Sequence, residues 1–414
     1  MRYIVLFFIL LFPKHGSLAK PVIPDVVKEG VWRATLLRDG QALPFILEIR
    51  KNTDGKTFSV FAVNGSERLR MDTAFVAQDS IHIPMQLFDS EIVAHIEPGS
   101  LKGKYNRLSG KNVIAWLPFE AKFGDNYKFY KQGEARSPVN ITGKWSAVFH
   151  NPATGGNTPS VANFTQKGSD VTGSFLTPTG DYRFLTGSMN GDSLYLSTFD
   201  GSNAMLFKAS VQADGTLKGV LWTGVAGYRT WTAKADPDAK LPDATKLTFL
   251  KPGAGEVNFS FTDSKGQTVS LSDAAFKNKV VILQIMGSWC PNCMDETNFL
   301  VPWYKKNKKR GVEIIGLAFE KSDNPDISNP KIKRMITRFG IEYPVLLAGT
   351  NTDAGTAKAL PMLNKVMSYP TTIFIDKKGK VREIHTGFSG PGTGKYYDQF
   401  VEEFTRLTDK LLSE

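Results

Sequence analysis

The chain has 414 residues, 41% of them apolar and 22% charged, with a formal net charge of +11. That length exceeds one ordinary hydrophobic core and predicts two or three domains, and the composition excludes disordered and fibrous classes. No apolar run of about twenty residues follows the N-terminus, so stable membrane insertion is not expected. Basic residues are interspersed with acidic ones or gathered in short runs such as Lys305-Lys306 and Lys308-Lys309-Arg310, which read as solvated helix-end faces rather than a nucleic-acid footprint.

In chain order, Arg2, the apolar stretch Ile4 to Phe12 and the small residues Ser17-Leu18-Ala19 read as a secretory signal over residues 1–19, cut after Ala19. The stretch is too short to span hydrocarbon as a helix. No cysteine follows it to carry a lipid. Export is the expectation, with a bacterial periplasm as the compartment.

From about Val31 to Ala235 short apolar/polar alternations are broken by Gly, Asn, Asp and Pro, as in Phe45 to Ile49, Ser193 to Phe199 and Thr216 to Trp222. A period of two with frequent turn signals predicts antiparallel sheet. The pattern also repeats. Gly30-Val-Trp32-Arg-Ala34 matches Gly143-Lys-Trp145-Ser-Ala147, Asp79 to Ile83 matches Asp192 to Leu196, and Leu101-Lys-Gly103 matches Leu217-Lys-Gly219, at nearly constant spacing. Two related β-meanders are expected, residues 28–131 and 139–235. Each is long enough to close a small barrel, packed with side chains or holding an apolar ligand; one larger sandwich is the alternative.

A polar, Pro-containing segment, residues 236–249, reads as a linker. Beyond it, residues 250–414, strands alternate with amphipathic helices, an α/β texture. Val280 to Met286, Val312 to Ala318 and Thr371 to Ile375 are candidate buried strands, and Val381 to His385 follows a turn as a hairpin partner would. Helices are expected over Pro291 to Lys309, about Pro330 to Phe339, and Tyr396 to Leu412.

Only two cysteines occur, in Gly287-Ser-Trp-Cys-Pro-Asn-Cys293, where a strand ends and a helix begins. Helix N-terminal amides stabilise a thiolate, and Pro291 suits the first turn, where no amide hydrogen is needed. The spacing lets a Cys290–Cys293 disulfide close with little chain movement. Cys290 is expected to be the exposed nucleophile and Cys293 the buried resolving thiol. Half of a zinc site would need two further ligands, and His385 is the only histidine after residue 150, so no metal is expected. So small a loop also makes a poor structural brace. Asn292 is neutral and brings no cation to the thiolate, which favours a reductant or isomerase over a strong oxidant.

Trp289-Cys-Pro-Asn-Cys293, preceded by a hydrophobic strand and followed by Tyr369-Pro370-Thr-Thr-Ile-Phe-Ile-Asp376, resembles the thioredoxin superfamily, in particular its TlpA-like branch of exported thiol–disulfide oxidoreductases. Phe259 to Asp263, the segment from Gly266 to Ser272 and the Lys378-Gly379-Lys380 turn fit that branch as well, so the resemblance covers about residues 250–414. It implies a thioredoxin fold, a cis Pro370 facing the active-site disulfide, and a Tyr369 backbone offered to an extended substrate segment. Trp289, Tyr369 and Pro370 are thus the substrate-docking candidates, while an ordinary proline at a strand start is the plain reading of Pro370. Glu296 stands where the branch places a functional glutamate, and its alternative reading is a helix N-terminal charge. Gln284 departs from the pattern, standing where thioredoxin carries a buried aspartate.

The resemblance implies protein thiols and disulfides as substrates, no cofactor, and a separate electron donor, a membrane-bound one being one option, since the β region holds no relay cysteine. Two rival readings are a thiol peroxidase, whose P-x-x-x-T-x-x-C loop is absent here, and a ligand- or partner-binding β region with an accessory thiol domain.

Overall fold

The computed structural model describes residues 27–414, so the secretory signal expected over residues 1–19 lies outside the described residues. The first sheet contains β1 (Gly30–Arg38), β2 (Gln41–Lys51), β3 (Thr57–Asn64), β4 (Glu67–Arg70), β5 (Ala74–Ala77), β6 (Ser80–Met85), β7 (Ser90–Glu97), β8 (Ser100–Ser109) and β9 (Asn112–Phe123). Its order is β2-β1-β9-β8-β7-β6-β5-β3, and β2 pairs back onto β3. The sheet is therefore a closed antiparallel barrel, with β4 attached to β3 outside the ring. Alternate residues point inward, as in β3, where every second side chain is buried.

The second sheet repeats this strand for strand. It contains β10 (Gly143–His150), β11 (Asn157–Lys167), β12 (Asp170–Thr177), β13 (Gly180–Asp181), β14 (Leu185–Asn190), β15 (Ser193–Phe199), β16 (Ala204–Val211), β17 (Leu217–Thr223) and β18 (Gly227–Ala235). Closure is by β11 on β12, with β13 hung on β12 as β4 hangs on β3. The two G-x-W openings make the same contact. Trp32 Nε1 donates to Lys28 O at 3.0 Å, and Trp145 Nε1 donates to Ile141 O at 2.9 Å. Two barrels form, not one sandwich. The second interior is filled by rings: Phe175 stacks on Phe207 at 5.2 Å and meets Phe149, Phe164 and Trp231 edge-on at 5.0, 5.4 and 5.2 Å.

The barrels are locked to each other. Phe45 stacks on Phe199 at 4.3 Å, Ser197 Oγ donates to Pro44 O, and the buried Arg38 guanidinium donates to the carbonyls of Thr223, Gly224 and Gly227.

The C-terminal domain has the expected thioredoxin fold. Its elements are β19 (Ser260–Asp263), β20 (Thr268–Ser270), β21 (Val280–Met286), α1 (Pro291–Asn307), β22 (Val312–Glu320), α2 (Pro325–Phe339), β23 (Val345–Thr350), α3 (Asp353–Ala359), β24 (Thr371–Ile375), β25 (Val381–Thr386) and α4 (Lys395–Ser413). The sheet runs β20-β19-β23-β22-β21-β24-β25, with β21, β22 and β23 mutually parallel and β24 antiparallel to β21. Every residue of β21 is buried, and alternate ones enter the cores on opposite faces of the sheet, which explains its unbroken apolar run. One helix starts earlier than its proline suggests. The Asn324 side chain caps α2 by accepting from Asp326 N, and Pro325 takes the first turn, so Pro330 falls inside the helix.

The first barrel grips this domain from one side. Asp89 accepts from Lys321 at 2.8 Å and from Lys331 at 2.6 Å, and Arg338 pairs with Asp72 at 3.3 Å. Among the described residues no helix is long and apolar enough to cross a membrane.

Candidate functional site

Strand β21 delivers the chain to Gly287, where a Cβ would lie 2.3 Å from Trp289 Nε1; only glycine lets the turn close there. The turn is held from below. Glu320, at the end of β22 and 1% exposed, accepts from Ser288 N and Ser288 Oγ, both at 2.8 Å. Trp289 Nε1 donates to Phe319 O at 3.0 Å, and the indole meets the Tyr369 ring edge-on at 5.4 Å. Both contacts fix where Cys290 emerges.

Cys290 is the N-cap of α1, and its sulfur accepts from Cys293 N at 3.2 Å. As a thiol it donates to Tyr369 O at 3.5 Å. The same atom thus has an amide ready to stabilise the thiolate and a carbonyl that holds the thiol. The Tyr369–Pro370 bond is cis, as the resemblance implies. Cys293 is fully buried. Burial first, then the neighbouring Cys290 and the charge of Glu296, push its thiol well above the ordinary range.

The expected exposure of Cys290 is not found. The thiol is 5% exposed because its turn is packed under the second barrel. Asn292 Nδ2 donates to Asp181 O at 3.3 Å, and Arg183 donates to Pro291 O at 3.2 Å. Arg183, at φ 57° in the left-handed region, also pairs with Asp295 of α1 and Glu67 of the first barrel and lies 3.6 Å from Asp200. One cation therefore joins all three domains beside the thiols. Burial works against the guanidinium, but Asp295, Glu67 and Asp200 together keep it protonated. Burial pushes the Asp295 carboxyl up to about 7 even against Arg183. None of Arg183, Asp181, Glu67 or Asp200 is legible as a site residue in the sequence, since each lies in a polar stretch of the β region. Glu320 carried one faint signal: an acid ending an apolar run.

Glu296 is not a solvated helix charge. It is fully buried, and its carboxylate accepts from Thr372 Oγ1 at 2.5 Å and Gln284 Nε2 at 2.8 Å. Gln284 also donates to Thr297 Oγ1 at 3.1 Å and accepts from Tyr343 OH at 3.2 Å, so the residue that departs from thioredoxin serves to seat Glu296. Burial pushes the Glu296 carboxyl up to about 7, only partly offset by the bonds from Thr372 and Gln284. Such a group exchanges protons near neutrality, the range a partner for the buried Cys293 needs.

Glu296→Gln should therefore act on both stability and rate. An unfolded glutamate ionises near 4.5 and this one near 7, so the protein favours the protonated side chain throughout that window. Its favourable effect is present below about pH 4.5 and is lost as pH rises through 7, at a cost on the order of 3 kcal/mol. Urea titrations of the Gln variant should show a correspondingly weaker fall of stability between pH 5 and 8. Disulfide exchange at pH 7 should slow by about 10–100-fold and recover in alkali, where Cys293 ionises unaided. Unchanged rate and stability profiles would remove Glu296 from the site.

His385 lies apart from the thiols, edge-on to Phe400 at 5.2 Å, and burial lowers its pKa to about 4. Among the described residues no group of three or more His, Cys, Asp or Glu is placed to hold a metal.

The Redoxin family pattern matches residues 237–399, beginning just after the second barrel. The chain is 31% identical over 162 residues to the thiol-disulfide oxidoreductase ResA of Bacillus thuringiensis subsp. konkukian (strain 97-27), covering 39% of this chain and 83% of that protein. It is 31% identical over 138 residues to ResA of Bacillus subtilis (strain 168), covering 33% of this chain and 69% of that one. A thiol:disulfide interchange protein of the thioredoxin family from Chlorobium tepidum TLS aligns at 24% identity over 38% of this chain and 94% of its own, with a TM-score of 0.30.

Proposed function

We propose, for a chain that belongs through its C-terminal domain to the TlpA/ResA-like thiol–disulfide oxidoreductases of the thioredoxin superfamily, that it is exported and reduces or isomerises protein disulfides through Cys290 and Cys293. The Cys290 thiolate attacks one sulfur of the substrate disulfide, forming a mixed disulfide and expelling one substrate thiolate. Cys293 gives its proton to Glu296 and attacks Cys290 Sγ, which expels the second substrate thiolate and leaves the Cys290–Cys293 disulfide. Two electrons have then passed to the substrate. A separate dithiol donor must return them, since the chain has no other cysteine.

The observation that carries this reading is the pairing at the start of α1: Cys293 N lies 3.2 Å from Cys290 Sγ, while a buried carboxyl that titrates near neutrality sits one helical turn beyond Cys293. Trp289, Tyr369 and Pro370 form the docking surface in this scheme, with the Tyr369 carbonyl turned to the nucleophile. Export rests on residues 1–19. It places the dithiol among disulfide-bonded proteins, most simply in a bacterial periplasm.

The test is stoichiometric. One equivalent of reduced protein, free of other reductant, should reduce one equivalent of a disulfide-bonded peptide and end with Cys290 joined to Cys293. A protein that leaves the peptide oxidised would refute the proposal.

A further inference from the structure

The turn from β12 to β13 places Thr177 to Asp181 of the second barrel across the thiol site, and it touches three separate loops there. Asn292, inside the Cys-Pro-Asn-Cys turn, donates to Asp181 O at 3.3 Å. Ser368, just before the cis-proline bond, donates from Oγ to Thr179 O. Gly390 N, in the loop after β25, donates to Asp181 Oδ2 at 2.7 Å, and Gly387 of that loop packs against Thr179 and in turn donates to Pro370 O. Two of these are backbone carbonyls of the hairpin that accept from side chains flanking the thiol site, Asn292 of the Cys-Pro-Asn-Cys turn and Ser368 beside the cis proline, so peptide groups of an extended segment are received there.

The fit is close on one flank and loose on the other. Gly180 stands at φ 139°, and a Cβ there would lie 2.3 Å from Asn292 Nδ2, so a larger residue would strain the turn and push on that side chain. Behind the hairpin, Pro178 and Gly180 border a cavity of about 390 Å³ together with Leu241, Phe388 and Tyr396. The cavity leaves unfilled space on that side of the hairpin. The nucleophile beneath is only 5% exposed.

We infer that the Thr177–Asp181 hairpin is an intramolecular occupant of the groove in which the thioredoxin domain receives a polypeptide disulfide, so that a substrate segment must displace it. This rests on the reading of Cys290 as nucleophile and adds to it a reason for the barrels: the second one carries a cap. Small thiol reagents pass the capped site, whereas folded or bulky disulfides wait for opening.

The test compares the reduced full-length protein with its Gly180→Val and Ser368→Ala variants. Each is alkylated with iodoacetamide and with a polymer-bearing maleimide, and the site of modification is read by mass spectrometry. Gly180→Val strains the hairpin turn and crowds Asn292, and Ser368→Ala removes a single bond without disturbing the barrel. The ratio of bulky to small reagent rates at Cys290 should rise about tenfold in Gly180→Val and by a smaller factor in Ser368→Ala. Ratios equal in all three proteins, with Ser368→Ala shown folded by circular dichroism, would overturn the cap. Because alkylation needs no exchange partner, a raised ratio in a protein that cannot reduce a peptide disulfide would keep the cap and reject the enzymatic reading.

Discussion

Cys290→Ser eliminates disulfide exchange, by at least about a thousandfold, whereas Cys293→Ser preserves the first attack and accumulates mixed disulfides. The asymmetry follows from placement. Cys290 caps the helix with its sulfur, accepting from Cys293 N at 3.2 Å, and has the Tyr369 carbonyl beside it. Cys293 is fully buried and its thiol is pushed well above the ordinary range, so it cannot start the reaction on a protein substrate. It attacks only once Cys290 has been linked and Glu296 has taken its proton. A serine hydroxyl at 293 leaves the mixed disulfide with no internal exit. Non-reducing gels and mass spectrometry of Cys293→Ser after exposure to exported proteins should then identify partners joined at Cys290. Equal trapping by Cys290→Ser would reverse the two roles.

Arg183→Met should cost about 3–5 kcal/mol, the usual penalty for removing one side of a buried ion pair. Arg183 is 4% exposed and faces Asp295, Glu67 and Asp200, carboxylates from the thioredoxin domain and both barrels. Without the cation these acids repel one another inside the protein. The penalty depends on pH with a definite sign. Asp295 ionises near 3.8 when unfolded and about 7 when folded, so its protonated form favours the native state, and that advantage is lost as pH rises through 7. Removing Arg183 raises the folded value further. The variant should therefore be destabilised most above pH 7 and least near pH 5. Urea unfolding at both values checks this, and a loss that is the same at the two would place the role of Arg183 in packing rather than charge.

Much of the fold was legible because burial imposes a period on a chain. Alternation predicted the strands of both barrels, and Trp32 and Trp145 marked the repeat, since each indole must reach a carbonyl four residues back. Val280 to Met286 announced a strand buried on both faces. Other elements carried no such mark. Helix α3 has seven residues and one buried side chain, too few for a helical period. Pro330 looked like a helix start because the capping Asn324-Pro325 pair stands a turn earlier.

The site divides along the same line. Cys290, Cys293, Trp289, Tyr369, Pro370 and Glu296 lie in contiguous motifs, and the fold brings them around one helix end. Arg183, Asp181 and Thr179 reach that place only through the packing of one domain on another. A local pattern cannot encode such a contact. For that reason the sequence predicted an exposed nucleophile where the structure has a covered one.

The most direct test of the central reading is equilibration of the protein with reduced and oxidised glutathione, followed by mass spectrometry of the quenched thiols. The expected result is a two-electron transition to a single Cys290–Cys293 disulfide, at a potential well below the value of about −120 mV typical of a strong oxidase. A protein that stops at glutathionylated Cys290, or one as oxidising as that, would contradict it.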